Sequence, residues 1–187
     1  MRFAQGYGAT HRLLVMVAGN QNPRNAHLFE RDIQTALGYV AWLLCFRAYF
    51  WPGLKSMDGV QAHRAIATLH SFRFFGLVFV LPGIVGNLPA TFATFAAYGD
   101  LITAIFAILA LAAVRVKAVF WTCVVAFNCV GTLDLVLDYY HAGRVELPAV
   151  AGQLGAAYII PVIYVPLLMI THVTAFYLLV RSTRPFR

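Results

Sequence analysis

The chain has 187 residues, of which 61% are hydrophobic and only 11% charged. Soluble domains run near half apolar and about a quarter charged, so an ordinary soluble domain is excluded and a polytopic membrane protein indicated. The net charge of +7 forms no nucleic-acid patch. Its basic residues lie in the N-terminal segment, the loops and the C-terminal tail, without a basic–aromatic stripe. In a membrane protein that pattern reads as topology and contact with anionic headgroups.

A transmembrane helix takes about 20 residues, so five spans with short loops use most of this chain. Residues 1–32 read as an N-terminal interfacial and loop segment. Arg12 followed by an apolar run resembles a short signal-like stretch, read here as interfacial or partner-binding. Asn20-Gln21-Asn22-Pro23-Arg24-Asn25 reads as a loop. The first span covers 33–51 and ends in Arg47, Tyr49, Phe50 and Trp51, an aromatic belt with a snorkelling cation. Pro52-Gly53 is expected to break it. The second span, 63–85, carries His70 and Arg73. The third, 90–114, is rich in Ala and carries Asp100; its small residues suit close packing and a contact with another subunit. The fourth, 118–141, carries Asn128, Asp134 and Asp138. The fifth, 154–180, is interrupted by Pro161 and Pro166, which crowd the carbonyls of Ala157 and Val162. Residues 182–187 form a basic tail. The expected fold is an all-α bundle of five transmembrane helices, with four as the minimum. Basic residues at 115–117 and in the tail place those ends, and the C-terminus, in the cytoplasm. The N-terminus then falls outside despite Arg2, Arg12, Arg24 and Arg31.

Ionisable groups at bilayer depth cost a few kcal/mol or more and usually face the bundle interior. Arg73 and Asp100 reach similar depth on neighbouring antiparallel spans, so an ion pair is expected between them. Asp134, Asp138 and His141 are spaced i, i+4, i+7 and share one helical face. Two carboxylates one turn apart repel, so one must hold a proton or a cation must sit between them. No metal set is assigned, because it would need a ligand from a further helix. His70 and His172 enter from spans two and five at matching depth, the arrangement of a b-type haem site. Cys45, Cys123 and Cys129 form no CxxC pair and read as small buried hydrophobes. No catalytic motif occurs.

The segment His70-Ser71-Phe72-Arg73-Phe74-Phe75-Gly76, followed by Leu88-Pro89, Phe92-Ala93 and Gly99-Asp100, resembles a set of small bacterial integral membrane proteins of unknown function. The resemblance covers about residues 70–115. It implies a bacterial membrane protein in which Arg73 and Asp100 are a linked feature, and it brings no activity with it.

The expected function is non-enzymatic, with no catalytic residue assigned. The protein would bind, or help translocate, a small ligand, proton or cation at an intramembrane polar site built from Arg73, Asp100, Asp134, Asp138 and His141. An accessory subunit of a membrane complex, or a homo-oligomer, is the companion reading. A b-type haem anchor on His70 and His172 is one alternative. A small lipid-modifying enzyme using an Asp138/His141 acid–base pair is the other. The surroundings are the lipid bilayer of a bacterial cytoplasmic membrane.

Overall fold

The computed structural model describes residues 23–182, all helical or connecting, with no strand among them. Helix α1 (Pro23–Cys45) continues through a π turn, Phe46–Phe50, into the short α2 (Trp51–Ser56). Helix α3 (Gly59–Ser71) runs on as a 3-10 segment, Phe72–Val80. Helices α4 (Ala90–Ala112) and α5 (Lys117–Arg144) follow. A 3-10 segment, Leu147–Tyr158, and a π turn, Ile160–Tyr164, then lead into α6 (Val165–Ser182). The N-terminal signal-like stretch and the tail beyond Ser182 lie outside the described residues.

Among the described residues, three helices are long and apolar enough to cross a membrane: Ala90–Ala112, Lys117–Arg144 and Ile160–Arg181. Their outward faces carry large apolar side chains, among them Ile105, Ile108, Val125, Leu133 and Val173. The first two expected spans do not meet that measure as single helices. Residues 59–80 are divided between an α and a 3-10 piece and hold His63, Arg64, His70 and Arg73.

Two expected breaks are corrected. Pro52 does not end its helix; a π turn closes two residues before it, and the widened ring relieves the clash between a proline and its i−4 carbonyl. The same device recurs at Pro166, where the π turn ends at Tyr164. The carbonyl of Val162, crowded by Pro166, lies against Gly38, where a Cβ would collide with it. The connection between the fourth and fifth expected spans, 142–153, is largely helical rather than a loop, since α5 runs to Arg144 and the 3-10 segment starts at Leu147.

The 3-10 geometry of Phe72–Val80 decides which residues point inward. With three residues per turn, side chains at i and i+3 eclipse. Arg73, Gly76 and Phe79 therefore form one buried row, while Phe72, Phe74 and Phe75 are exposed. In an α-helix Phe79 would turn away from Arg73; here its ring meets Phe92 of α4 at 5.8 Å.

Helix α1 and the stretch 158–182 run parallel. Tyr158 donates to Gln34 Oε1 at 2.7 Å, Trp42 Nε1 donates to the Ile163 carbonyl at 2.8 Å, and Trp51 packs on Tyr177. Two apolar clusters cap the bundle. One gathers Phe46, Ile66, Ala107, Ala110, Phe120 and Phe127. The other gathers Phe79, Phe92, Leu147, Leu154 and Ile160. The polar residues lie between them. Of the cysteines, Cys123 is buried, Cys45 half-buried and Cys129 exposed, so the uniform burial expected of them holds for one. The small-residue face of α4 is used inside the chain, since Ala96, Ala97, Ala104, Ala107 and Ala110 are all buried within it.

Candidate functional site

Arg73 is fully buried and is the hub of the polar layer. Its Nε donates to Asp100 Oδ1 at 2.5 Å, the contact that helix depth predicts. Its Nη2 donates to Asp134 Oδ2 at 2.5 Å. Its Nη1 donates to the Gly131 carbonyl at 3.2 Å and meets His172 Nε2 at the same distance. A guanidinium presents five N–H donors in a rigid fork, and this site gives it partners on α4, α5 and α6.

The surrounding bonds fix the tautomers. Asn128 Nδ2 donates to the Val124 carbonyl at 2.8 Å, so its Oδ1 accepts from His172 Nδ1 at 2.9 Å. His172 then carries its proton on Nδ1, and Nε2 is the acceptor for Arg73. Thr171 Oγ1 donates to the carbonyls of its own helix and so accepts from His70 Nε2 at 3.0 Å. His70 Nδ1 is left buried with no hydrogen-bond partner among the described residues.

Three glycines make the room for these charges. A Cβ on Gly76 would collide with the Asp100 carboxylate, and one on Gly99 with the Asp134 carboxylate. A Cβ on Gly131 would stand 2.6 Å from both Arg73 Nη1 and His172 Nε2. These glycines shape the polar layer, a role the sequence alone did not assign to them. Their signal is the spacing Arg73-x-x-Gly76 and Gly131-x-x-Asp134, each placing a glycine one turn from a charge.

Asp138 sits one turn beyond Asp134 on the same face of α5. It lines a cavity of about 60 Å³ with Asp100, Phe79, Phe92 and Leu154. Oδ1 of Asp134 and Oδ1 of Asp138 are both buried and have no hydrogen-bond partner among the described residues. One guanidinium thus faces three carboxylates. His141 is not drawn into this layer; its ring packs on Phe95 at 4.9 Å and on Tyr140 at 5.5 Å. No group of three or more His, Cys, Asp or Glu among the described residues has the geometry to hold a metal ion.

The haem reading of His70 and His172 does not fit this geometry. Their ring centroids are 4.1 Å apart. With metal–imidazole bonds of about 2 Å on each side, rings flanking one iron stand roughly 6 Å apart. Both Nε2 atoms are already engaged, one with Thr171 and one with Arg73. The pair therefore forms a stacked wall of the polar layer rather than an iron site.

A family model described as a domain of unknown function (DUF8737) matches residues 31–180. The chain belongs to that family. The matched region takes in every residue of the polar layer, both apolar clusters and the cavity. No curated protein and no solved structure matches the chain.

Proposed function

We propose that this member of the DUF8737 family is a five-span membrane protein that binds a proton or a small monovalent cation at Asp138, next to the Arg73 hub. The observation that carries the reading is the charge balance of the layer. Arg73 is fully committed to Asp100 and Asp134, so among the described residues Asp138 has no cation of its own. A carboxylate so placed holds a proton or recruits a cation. The 60 Å³ cavity at Asp138 is several times the ~10–15 Å³ that one water requires, so it has room for an ion with part of its hydration shell.

The topology supports five spans. Residues 59–80 comprise 13 α and nine 3-10 residues, which at about 1.5 and 2.0 Å per residue reach roughly 37 Å, enough to cross a hydrocarbon core of about 30 Å. Helix α1 runs parallel to α6 and exposes Leu37, Val40, Leu43 and Leu44, as a lipid-facing span does. The ends carrying Arg47, Lys55, Arg64, Arg115, Lys117 and Arg181 collect on one side, which we place in the cytoplasm with the C-terminus. The resemblance to bacterial membrane proteins supports a bacterial cytoplasmic membrane.

The geometry favours this over the companion readings. An accessory subunit docking a partner's helices through Arg73, Asp100 and Asp134 would need those charges turned outward, and they are turned on one another. An Asp138/His141 acid–base pair would need the two joined, and His141 instead rests on aromatic rings.

The test is proton or cation uptake by the purified protein in detergent. Acid pulses are followed with a pH indicator, and bound sodium or potassium is measured in parallel. Uptake is expected in the wild type and in His141→Ala, and lost in Asp138→Asn with unchanged helical content. Asp138→Asn taking up as much as the wild type would overturn the reading.

A further inference from the structure

A groove of about 650 Å³ runs between α1 and α6 on the outer face of the bundle. Leu43, Leu44, Met169 and Val173 make its apolar walls, and among the described residues Arg47 is the one cation lining it. Phe46 and Ile170, both buried, form part of its floor. Tyr39 lines its deep end, and one turn from it Trp42 bonds the Ile163 carbonyl. At the other end Trp51 packs on Tyr177 at 5.5 Å, and both line the groove. We propose that this groove holds one acyl chain of an anionic phospholipid, with the lipid phosphate on Arg47.

Depth orders the groove as an amphiphile requires. Arg47 lies one turn from Trp51, whose ring is overlaid by Lys55 Nζ at 5.9 Å. Tryptophan and tyrosine mark the headgroup level of a span, and a cation beside them reaches phosphate. Leu43 and Leu44 lie a turn deeper on α1, at acyl depth. The groove therefore offers a cation at the interface and an apolar trough below it. It sits at the basic end of the bundle, where Arg64, Arg115, Lys117 and Arg181 add to the attraction for an anionic headgroup. Leu44 and Val173 are each about two-thirds exposed, so a chain in the trough would cover apolar surface on both helices.

Phosphatidylglycerol and phosphatidylcholine, each added to the full chain in detergent, are the probes, with retained lipid read by native mass spectrometry. The wild type is expected to retain one phosphatidylglycerol about fivefold more tightly than phosphatidylcholine, the effect of one basic contact at the surface. Arg47→Gln should remove that preference. Val173→Trp, which fills the trough from an exposed position, should lower retention of both lipids. Arg64→Gln, exposed at the same end and outside the groove, should weaken the preference far less than Arg47→Gln and leave retention of phosphatidylcholine unchanged. Equal retention of the two lipids by the wild type, or unchanged preference in Arg47→Gln, overturns the proposal. So does an equal loss in Arg64→Gln, which would mark diffuse attraction by the basic end. Binding that appears only after residues 1–22 are deleted would place the chain's own N-terminal segment in the groove and overturn it as well.

Discussion

At its basic end, apart from the π turn Phe46–Phe50, the bundle packs α-helix on α-helix. Ala67, Ala107 and Ala110 are fully buried there beside Phe120, Val124 and Phe127, so small and large side chains alternate and backbones approach closely. At the opposite end the chain leaves the α-helix repeatedly. The segments Phe72–Val80 and Leu147–Tyr158 are 3-10, the stretch Ile160–Tyr164 is a π turn, and Glu146 and Gly155 take left-handed backbone. Gln153 ties this end together, accepting from Gly86 N through its carbonyl at 2.6 Å and from Asn87 N through Oε1 at 3.0 Å. The cavity at Asp138 opens into this half. Regular packing seals the charges from one side, and irregular backbone leaves a space beside them on the other. Runs of 3-10 longer than three or four residues are uncommon, and here two of them wall the same cavity.

The largest expected effect comes from cutting the seam between the halves. Arg73→Met leaves Asp100 and Asp134 buried without their cation. Breaking a buried pair in this way costs about 3–5 kcal/mol, and here two pairs share one partner. Equilibrium unfolding in mixed micelles should show a loss of at least that size. A loss under about 1 kcal/mol would mean that Arg73 does not join the halves.

Gly131→Ala should follow. The added methyl stands 2.6 Å from Arg73 Nη1 and His172 Nε2 and 2.7 Å from Thr103 Cγ2, all on packed groups, so the hub itself must shift. Overpacking of this kind costs about 1–3 kcal/mol. The change should also lower uptake at Asp138, because the carboxylates move with the guanidinium. Unchanged stability and uptake together would show that the cradle has slack.

The linkage of Arg73 to Asp100 was legible because a short connection forces their helices to be antiparallel neighbours and the α-helical rise fixes depth. The same rise, applied to Asp134 and His172, separates the charges into an outer, a central and an inner layer. The structure joins them into one. The layers differ by about one helical turn, roughly 5.4 Å, and a single long arginine side chain bridges that interval, reaching Asp134 on one side and His172 on the other. Depth counting treats each residue as a point at its Cα and misses this reach. The 3-10 segment was equally hidden, because periodicity arguments weigh 3.6 against 2.0 and not three. The triplet Arg73, Gly76, Phe79 is its trace in the sequence. His141 fails for a different reason: it shares the Asp138 face of α5 but is a further turn along, where the neighbour is Phe95.

A matched pair of alanines gives the smallest expected effect and the sharpest view of the irregular half. Gly155 has φ of +52°, and a Cβ there would meet only the Ile84 carbonyl at 4.0 Å. A methyl has room, so any cost of Gly155→Ala comes from the left-handed backbone, about 1–2 kcal/mol. Gly152 lies in the same 3-10 segment, has nothing within 4 Å of an added Cβ and is not left-handed. Gly152→Ala should be neutral or stabilise by up to about 1 kcal/mol through the unfolded chain. A clear gap between the two variants in unfolding midpoint would show that this half is held by backbone geometry as well as by contacts. Equal effects would mean that the segment relaxes into α-helix when a side chain demands it, and the wall of the cavity would then be adjustable.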